Sequence, residues 1–321
     1  MKSFKKHMNK SIITILLCIM VIILCSCEKI IEYKGETTIS KPTVFGLLYA
    51  FNKATIYLGK SVFFLNDDSL SVGPEFSKAN VKLVVNGELT YHMKHVTSDS
   101  NNSNILEKYQ CDYMPIENDS ISLLVNIPGY DELSSSMKMP GKADFELVSK
   151  DITKVYDEDM DSYSKEVKLK IRIKSHGEYM HCYYLTFFRR YENGIYSTNE
   201  CYASSSDIIF KNNETTMSSF RNSSNFFNDE LFRNKEYEFE VDINCPGYNT
   251  NLDRMLLGED EIELSIMSIT EDYYNYLFSL DMYEQYEIND MFSEKTKVFS
   301  NIKNGIGIFG GLVSKGISVN L

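Results

Sequence analysis

Apolar and polar residues alternate with period two along much of the chain, and that period predicts the elements. Val167, Leu169, Ile171 and Ile173 are interleaved with Lys168, Lys170, Arg172 and Lys174, the pattern of a strand with one face on a core and one in water. Tyr237, Phe239, Val241 and Ile243 alternate in the same way with Glu236, Glu238, Glu240 and Asp242. Further strands are predicted over 44–51, 55–65, 80–85, 88–93, 105–113, 120–127, 145–150, 180–191, 195–202 and 261–267, with Asn86-Gly87 as the turn between 80–85 and 88–93. Many short strands at this spacing predict an all-β protein of antiparallel sandwiches. The bases of 167–174 and the acids of 236–243 form complementary rows, so these two strands are expected side by side and antiparallel. Two separately solvated faces would show the same pattern.

One segment changes period. Ser268 followed by Glu271 has capping-box spacing, and Ile269, Tyr273, Tyr276, Leu277, Leu280 and Tyr283 fall at helical intervals, which predicts an amphipathic helix over 271–286 packed on a sheet. Asn126-Ile-Pro-Gly-Tyr130 and Asn244-Cys-Pro-Gly-Tyr248 echo one another. Each is read as a strand end followed by a type II turn, through shared turn chemistry or a duplicated sandwich.

The first residues carry an address. Lys2, Lys5, Lys6 and Lys10 precede the apolar run 12–24, which is too short to span a bilayer as a stable helix, and Leu24-Cys25-Ser26-Cys27 follows. A small residue before a cysteine, with leucine three positions ahead of it, is the signal of the bacterial lipoprotein pathway. Residues 1–26 are therefore expected to be a cleaved leader, and Cys27 the acylated first residue of the mature chain. An ordinary secretory signal is the plainer alternative. Polar residues 27–42 read as a tether. The 295 residues left after residues 1–26 are enough for two cores, assigned as an N-terminal sandwich over 43–142 and a larger β-rich domain over 143–321.

Removing the four leader lysines from 33 basic residues leaves 29 against 45 acidic ones, a balance of −16. Such a surface repels nucleic acid and anionic lipid. Membrane attachment would then come from the acyl chains, one holding marginally and two or more firmly.

Candidate chemistry is sparse. Cys111, Cys182, Cys201 and Cys245 allow three disulfide pairings. Cys182 and Cys201 flank a hairpin turn at Asn193-Gly194 out of register, and buried free thiols are the alternative. His92 and His95, and likewise His176 and His181, are spaced so that a strand sends the two members of each pair to opposite faces, so neither pair is read as a metal site. Asp157, Asp159 and Asp161 resemble the opening of a calcium loop. Ser162 stands where the turn glycine belongs, however, and Lys168 where the closing glutamate belongs, so a solvated acidic hairpin is the preferred reading. No nucleophile motif, phosphate loop or carboxylate dyad is visible, and no cofactor is expected.

Three stretches carry a resemblance: FFNDELFRNKEYEF (226–239), ELSIMSITEDYYNYL (263–277) and FSNIKNGIGIFGG (299–311). With the lipobox and the order of the blocks they resemble the lipoprotein family catalogued as domain of unknown function 4249. The resemblance implies a small transthyretin-like sandwich first and a larger β-rich domain second. It also implies envelope lipoproteins encoded near TonB-dependent transporters, and no established catalytic residues. In the last block Asn301, Asn304, Gly305, Gly307, Gly310 and Gly311 read as turn and bulge chemistry where backbone segments approach closely. The expected function is that of a non-enzymatic lipoprotein that binds a ligand or docks on such a transporter in nutrient uptake. A structural adhesin, or a hydrolase of envelope polymers, is the competing class.

Overall fold

The computed structural model describes residues 40–61, 72–97, 106–158, 162–190, 196–197, 202–210, 225–249, 261–289 and 297–320, all within the unit Ser40–Leu321. Among the described residues, seventeen strands are distributed over three sheets. The first sheet has nine strands: β12 (Tyr196–Ser197), β11 (Cys182–Arg190), β16 (Glu261–Ile269), β17 (Ile306–Asn320), β1 (Pro42–Tyr49), β2 (Thr55–Lys60), β6 (Glu107–Gln110) and β5 (Lys94–Val96) in that order, with β14 (Phe226–Asn228) also on β11. The second has the order β4 (Leu89–His92), β3 (Asn80–Val85), β7 (Ser120–Asn126), β8 (Leu133–Lys138). The third has the order β13 (Tyr202–Ser204), β15 (Glu236–Asn249), β10 (Ser162–Lys174), β9 (Asp144–Asp157). The chain is all-β, with one long helix, α2 (Glu271–Asn289), and a single-turn α1 (Pro74–Ser77) among the described residues.

Each four-stranded sheet shares a core with part of the nine-stranded one. One core joins Leu83, Leu123 and Val125 to Val44, Ile56, Leu58 and Phe309. The other joins Leu169, Ile171 and Val241 to Leu185, Leu264 and Ile266. Met139 belongs to the first core and Ala143 to the second, while β17 contributes to both.

β10 and β15 pair antiparallel, as their charges predict. Lys168 lies opposite Asp242, Lys170 opposite Glu240, Arg172 opposite Glu238 and Lys174 opposite Glu236. Val167, Leu169, Ile171, Ile173, Phe239, Val241 and Ile243 are buried on the other face, with Tyr237 partly buried, so burial sets the side on which the charges stand. Lys174 reaches Glu236 at 3.0 Å, and Lys170 reaches Glu238 diagonally at 2.9 Å. Arg172 bridges Glu238 and Glu146 of β9 at 2.6 Å each. Lys170 and Arg172 together hold the Glu238 carboxyl below the usual carboxylate range. Reversing Glu238 and Glu240 to Lys is expected to set like charges opposite one another and lower stability more at low than at high salt, because screening shortens the reach of the repulsion. Denaturation midpoints that do not depend on salt would contradict it.

The pattern misled at three places. Gly307, Gly310 and Gly311, read as turn and bulge chemistry, lie within β17, which runs parallel to β1 and antiparallel to β16 at the centre of the large sheet. Its run from Ile308 to Val313 is buried on both faces, so it shows no alternation. Gly310 lies under α2, where a Cβ would come within 2.9 Å of Thr270 Oγ1 and 3.0 Å of Tyr273 Cβ.

The helix is not capped by Ser268, which remains in β16 opposite Val313. Its first turn begins with Tyr274 N–H donating to Thr270 C=O at 3.0 Å. The helix lays Tyr274, Leu277 and Phe278 on Cys182, Phe226, Ile269 and Leu312, on the face of the large sheet opposite the cores.

Of the two Pro-Gly pairs, only the first is a turn. Tyr130 N–H donates to Ile127 C=O at 3.1 Å and Gly129 has φ +88°, a type II arrangement. Pro246 stays within β15, opposite Ser164 at a register shift, where a strand tolerates proline.

Candidate functional site

Cys27, the expected lipidation site, lies outside the described residues. Of the remaining cysteines, Cys111 and Cys182 are free thiols, and burial pushes both thiols up in pKa, away from the thiolate that reactive cysteines need. Cys245 is disulfide-bonded, and Cys201 lies outside the described residues. In the β13–β15 pairing Tyr202, which follows Cys201 in the sequence, stands opposite Asn244, which precedes Cys245. Peptide mapping without reductant is expected to return a Cys201–Cys245 crosslinked peptide. A crosslink from Cys245 to another cysteine would overturn the pairing.

His92, His95, His176 and His181 form no common cluster with other metal-binding side chains among the described residues. His95 meets Glu107 at 2.5 Å between β5 and β6. His176 Nε2 meets Asp144 Oδ2 at 2.9 Å and holds that carboxyl below the usual range, with Lys315 and Lys174 adding to the effect. Of the acidic run, Asp157 ends β9 opposite Ser162 of β10; residues 159–161 lie outside the described ones. No set of three or more His, Cys, Asp or Glu among the described residues is arranged to hold a metal ion.

The most highly organised polar centre is Asp229, which the sequence reading passed over. It follows β14 and is 0% exposed. Ser175 Oγ donates to its Oδ2 at 2.5 Å, and His181 Nδ1 reaches the same oxygen at 2.9 Å. His181 N–H donates to Oδ1 at 3.0 Å, and Arg233 Nε stands 3.7 Å away. The local chain is wound around this carboxylate. Asp229 N–H donates to His181 C=O, Phe232 N–H to Asp229 C=O, Lys235 N–H to Phe232 C=O and Ser175 N–H to Lys235 C=O. The turn 229–235 and the β10–β11 connection are thereby tied at one point.

Serine, histidine and aspartate are the residue types of a hydrolytic triad, but here they stand in another order. A triad places histidine between serine and aspartate, so that the imidazole takes the serine proton. In this centre the carboxylate stands in the middle and accepts from both. Ser175 is itself only 2% exposed. The arrangement satisfies a buried carboxyl and pins two loops, and His181 Nδ1 is turned to that carboxyl rather than to the Ser175 hydroxyl. The signal in the sequence was the polar Asn228-Asp229 set within the aromatic stretch 226–239.

Around the block 299–311 the polar groups serve the backbone. Asn301 Nδ2 donates to Asp272 Oδ2 at 2.7 Å and to Phe309 C=O at 2.8 Å, while its Oδ1 accepts from Phe309 N–H at 2.9 Å. Asn304, with φ +61°, donates to Glu132 C=O at 2.9 Å. These residues join α2, β17 and β8, which supports the reading of close backbone approach.

Architecture and polar centre define a β-rich protein with two sandwich-like cores sharing one large sheet, in which the organised polar groups hold loops and strands together. The chain belongs to the family described as domain of unknown function (DUF4249), whose model it matches over residues 31–316. No curated protein matches it.

Proposed function

We propose that the protein is an exported, non-enzymatic lipoprotein, held in the outer membrane by acyl chains on Cys27, whose folded part binds a ligand or docks on a TonB-dependent transporter in nutrient uptake. The observation that carries this reading is Leu24-Cys25-Ser26-Cys27 behind a basic segment and a short apolar run. The disulfide at Cys245 supports it, since such bonds persist in oxidising compartments outside the cytosol. The acidic surface agrees with attachment through lipid rather than through charge. No helix among the described residues is long and apolar enough to cross a membrane, so the acyl chains carry the attachment in this reading. The transporter part rests on the resemblance of the three C-terminal stretches.

Cys27→Ser removes the thiol that accepts the lipid. The variant is expected to move from the detergent phase to the aqueous phase on phase partition of a cell-envelope extract once its leader is cleaved, and the wild-type mature chain to show a mass increase on Cys27. Detergent-phase retention of a leader-free Cys27→Ser chain would refute the anchor.

A further inference from the structure

Phe51 stands where backbone and solvent both oppose a phenylalanine. It follows β1 with φ +65°, a left-handed conformation that is rare for bulky residues, and it is 62% exposed. Its turn lies against the stretch 111–116. Phe51 N–H donates to Pro115 C=O and Ala54 N–H to Tyr113 C=O, each at 2.9 Å, and Lys53 Nζ pairs with Asp112 at 2.6 Å. Tyr113 points into the core, while Met114 and Ile116, on either side of Pro115, are 49% and 52% exposed. Tyr49, the last residue of β1, is 47% exposed. Phe51, Met114 and Ile116, on two loops joined by backbone hydrogen bonds, and Tyr49 at the adjoining strand end make up an exposed apolar knob, with the Lys53–Asp112 pair beside it. Asn52, a residue type that accepts a positive φ easily, is the next residue, yet the phenylalanine takes that conformation. Strain that no burial repays is a sign of use.

The occupant is set by the anchor. β1 has eight residues, about 26 Å at about 3.3 Å each, so the knob is one strand length from Pro42, where the tether arrives. The stretch between Cys27 and Pro42 has a contour of at most about 50 Å, longer than β1, so the anchor leaves the knob free to reach the bilayer. Aromatic side chains favour the headgroup boundary, and single apolar residues on adjacent loop tips suit a deformable surface. We propose that Phe51, with Met114, Ile116 and Tyr49, inserts into the interface of the membrane that carries the lipid anchor. This rests on the anchored reading of Cys27. The acidic surface gives no attraction to anionic lipid, so zwitterionic lipid should suffice.

The chain has no tryptophan, which makes Phe51→Trp a single reporter. In the mature protein reconstituted into phosphatidylcholine vesicles with brominated acyl chains, Trp emission at position 51 is expected to shift to shorter wavelength and to be quenched. A Tyr179→Trp control, at a site 86% exposed, should remain unquenched. Ile116→Trp should report the same insertion and lose it when Phe51→Asn is added. That Asn should also raise the melting temperature, because the backbone at φ +65° suits it. A lower melting temperature would reveal a structural duty for Phe51 and overturn the proposal. So would absence of quenching at position 51, a blue shift that grows with protein concentration without lipid, which would mean a second copy, or one that needs added membrane proteins. If the intact mass shows no acyl group on Cys27, the anchor reading fails separately, and quenching at position 51 by added vesicles still decides insertion.

Discussion

Gly307→Ala is expected to destabilise the protein by about 3 kcal/mol or more, and to do so from the seam between β1 and β17. Gly307 has φ +120°, a conformation that costs a residue with a Cβ far more than it costs glycine. The position is also closed in space, since a Cβ there would be driven into the carbonyl of Val44, its partner in the parallel pairing. Backbone cannot swing aside as a flexible side chain can, so relief requires the strands to part. Val44 and Phe309 next to the seam are core residues at 1% and 0% exposure, and parting would open that core. Denaturation midpoints measure the loss, and amide exchange should rise in β1 and β17 before it rises in β10 and β15. A Gly307→Ala chain as stable as wild type would show that the strand conformation is not as described.

Asp229→Ala should cost about 3 kcal/mol, because removing a buried acceptor leaves its donors unpaired. The Ser175 hydroxyl, the His181 N–H and the His181 ring lose their acceptor together, and Arg233 loses the carboxylate nearest its Nε. Asp229→Asn keeps the shape and one oxygen, so it should cost less than the alanine. Ser175→Ala removes a donor while the carboxylate keeps His181, and should cost least. That order, Ala at 229 above Asn at 229 above Ala at 175, follows from the geometry of one carboxylate serving several donors. Equal stability of all three would mean that the centre does not hold the 229–235 turn to the β10–β11 connection.

Legibility in the sequence followed one rule. Where a strand has one face in water, as in β10 and β15, alternation exposed both the element and, through the charges, its neighbour. Where a strand is buried on both faces, as in β17 from Ile308 to Val313, there is nothing to alternate, and its glycines imitate a loop. Ser268 had the right spacing for a cap but was already paired with Val313 as strand. Pro246 had turn chemistry but stood at a bulge within β15. Asp229 escaped notice because its partners come from 175 and 181, and a hub of distant residues has no local period.

The amino-acid sequence by itself determined that the chain is β-rich, that its C-terminal half contains one long helix, and that β10 and β15 carry complementary rows of charge. All of these follow from interactions between near neighbours or from rows of charge repeated along a strand. Tertiary structure alone decided that β17 joins the two cores through one sheet, that Gly307 must be a glycine, and that Ser175, His181 and Asp229 meet with the carboxyl in the middle. Those outcomes depend on which backbone atoms come within contact distance after more than a hundred intervening residues have folded, as for Val44 and Gly307, or on the order in which three side chains converge, and neither leaves a periodic trace in the chain.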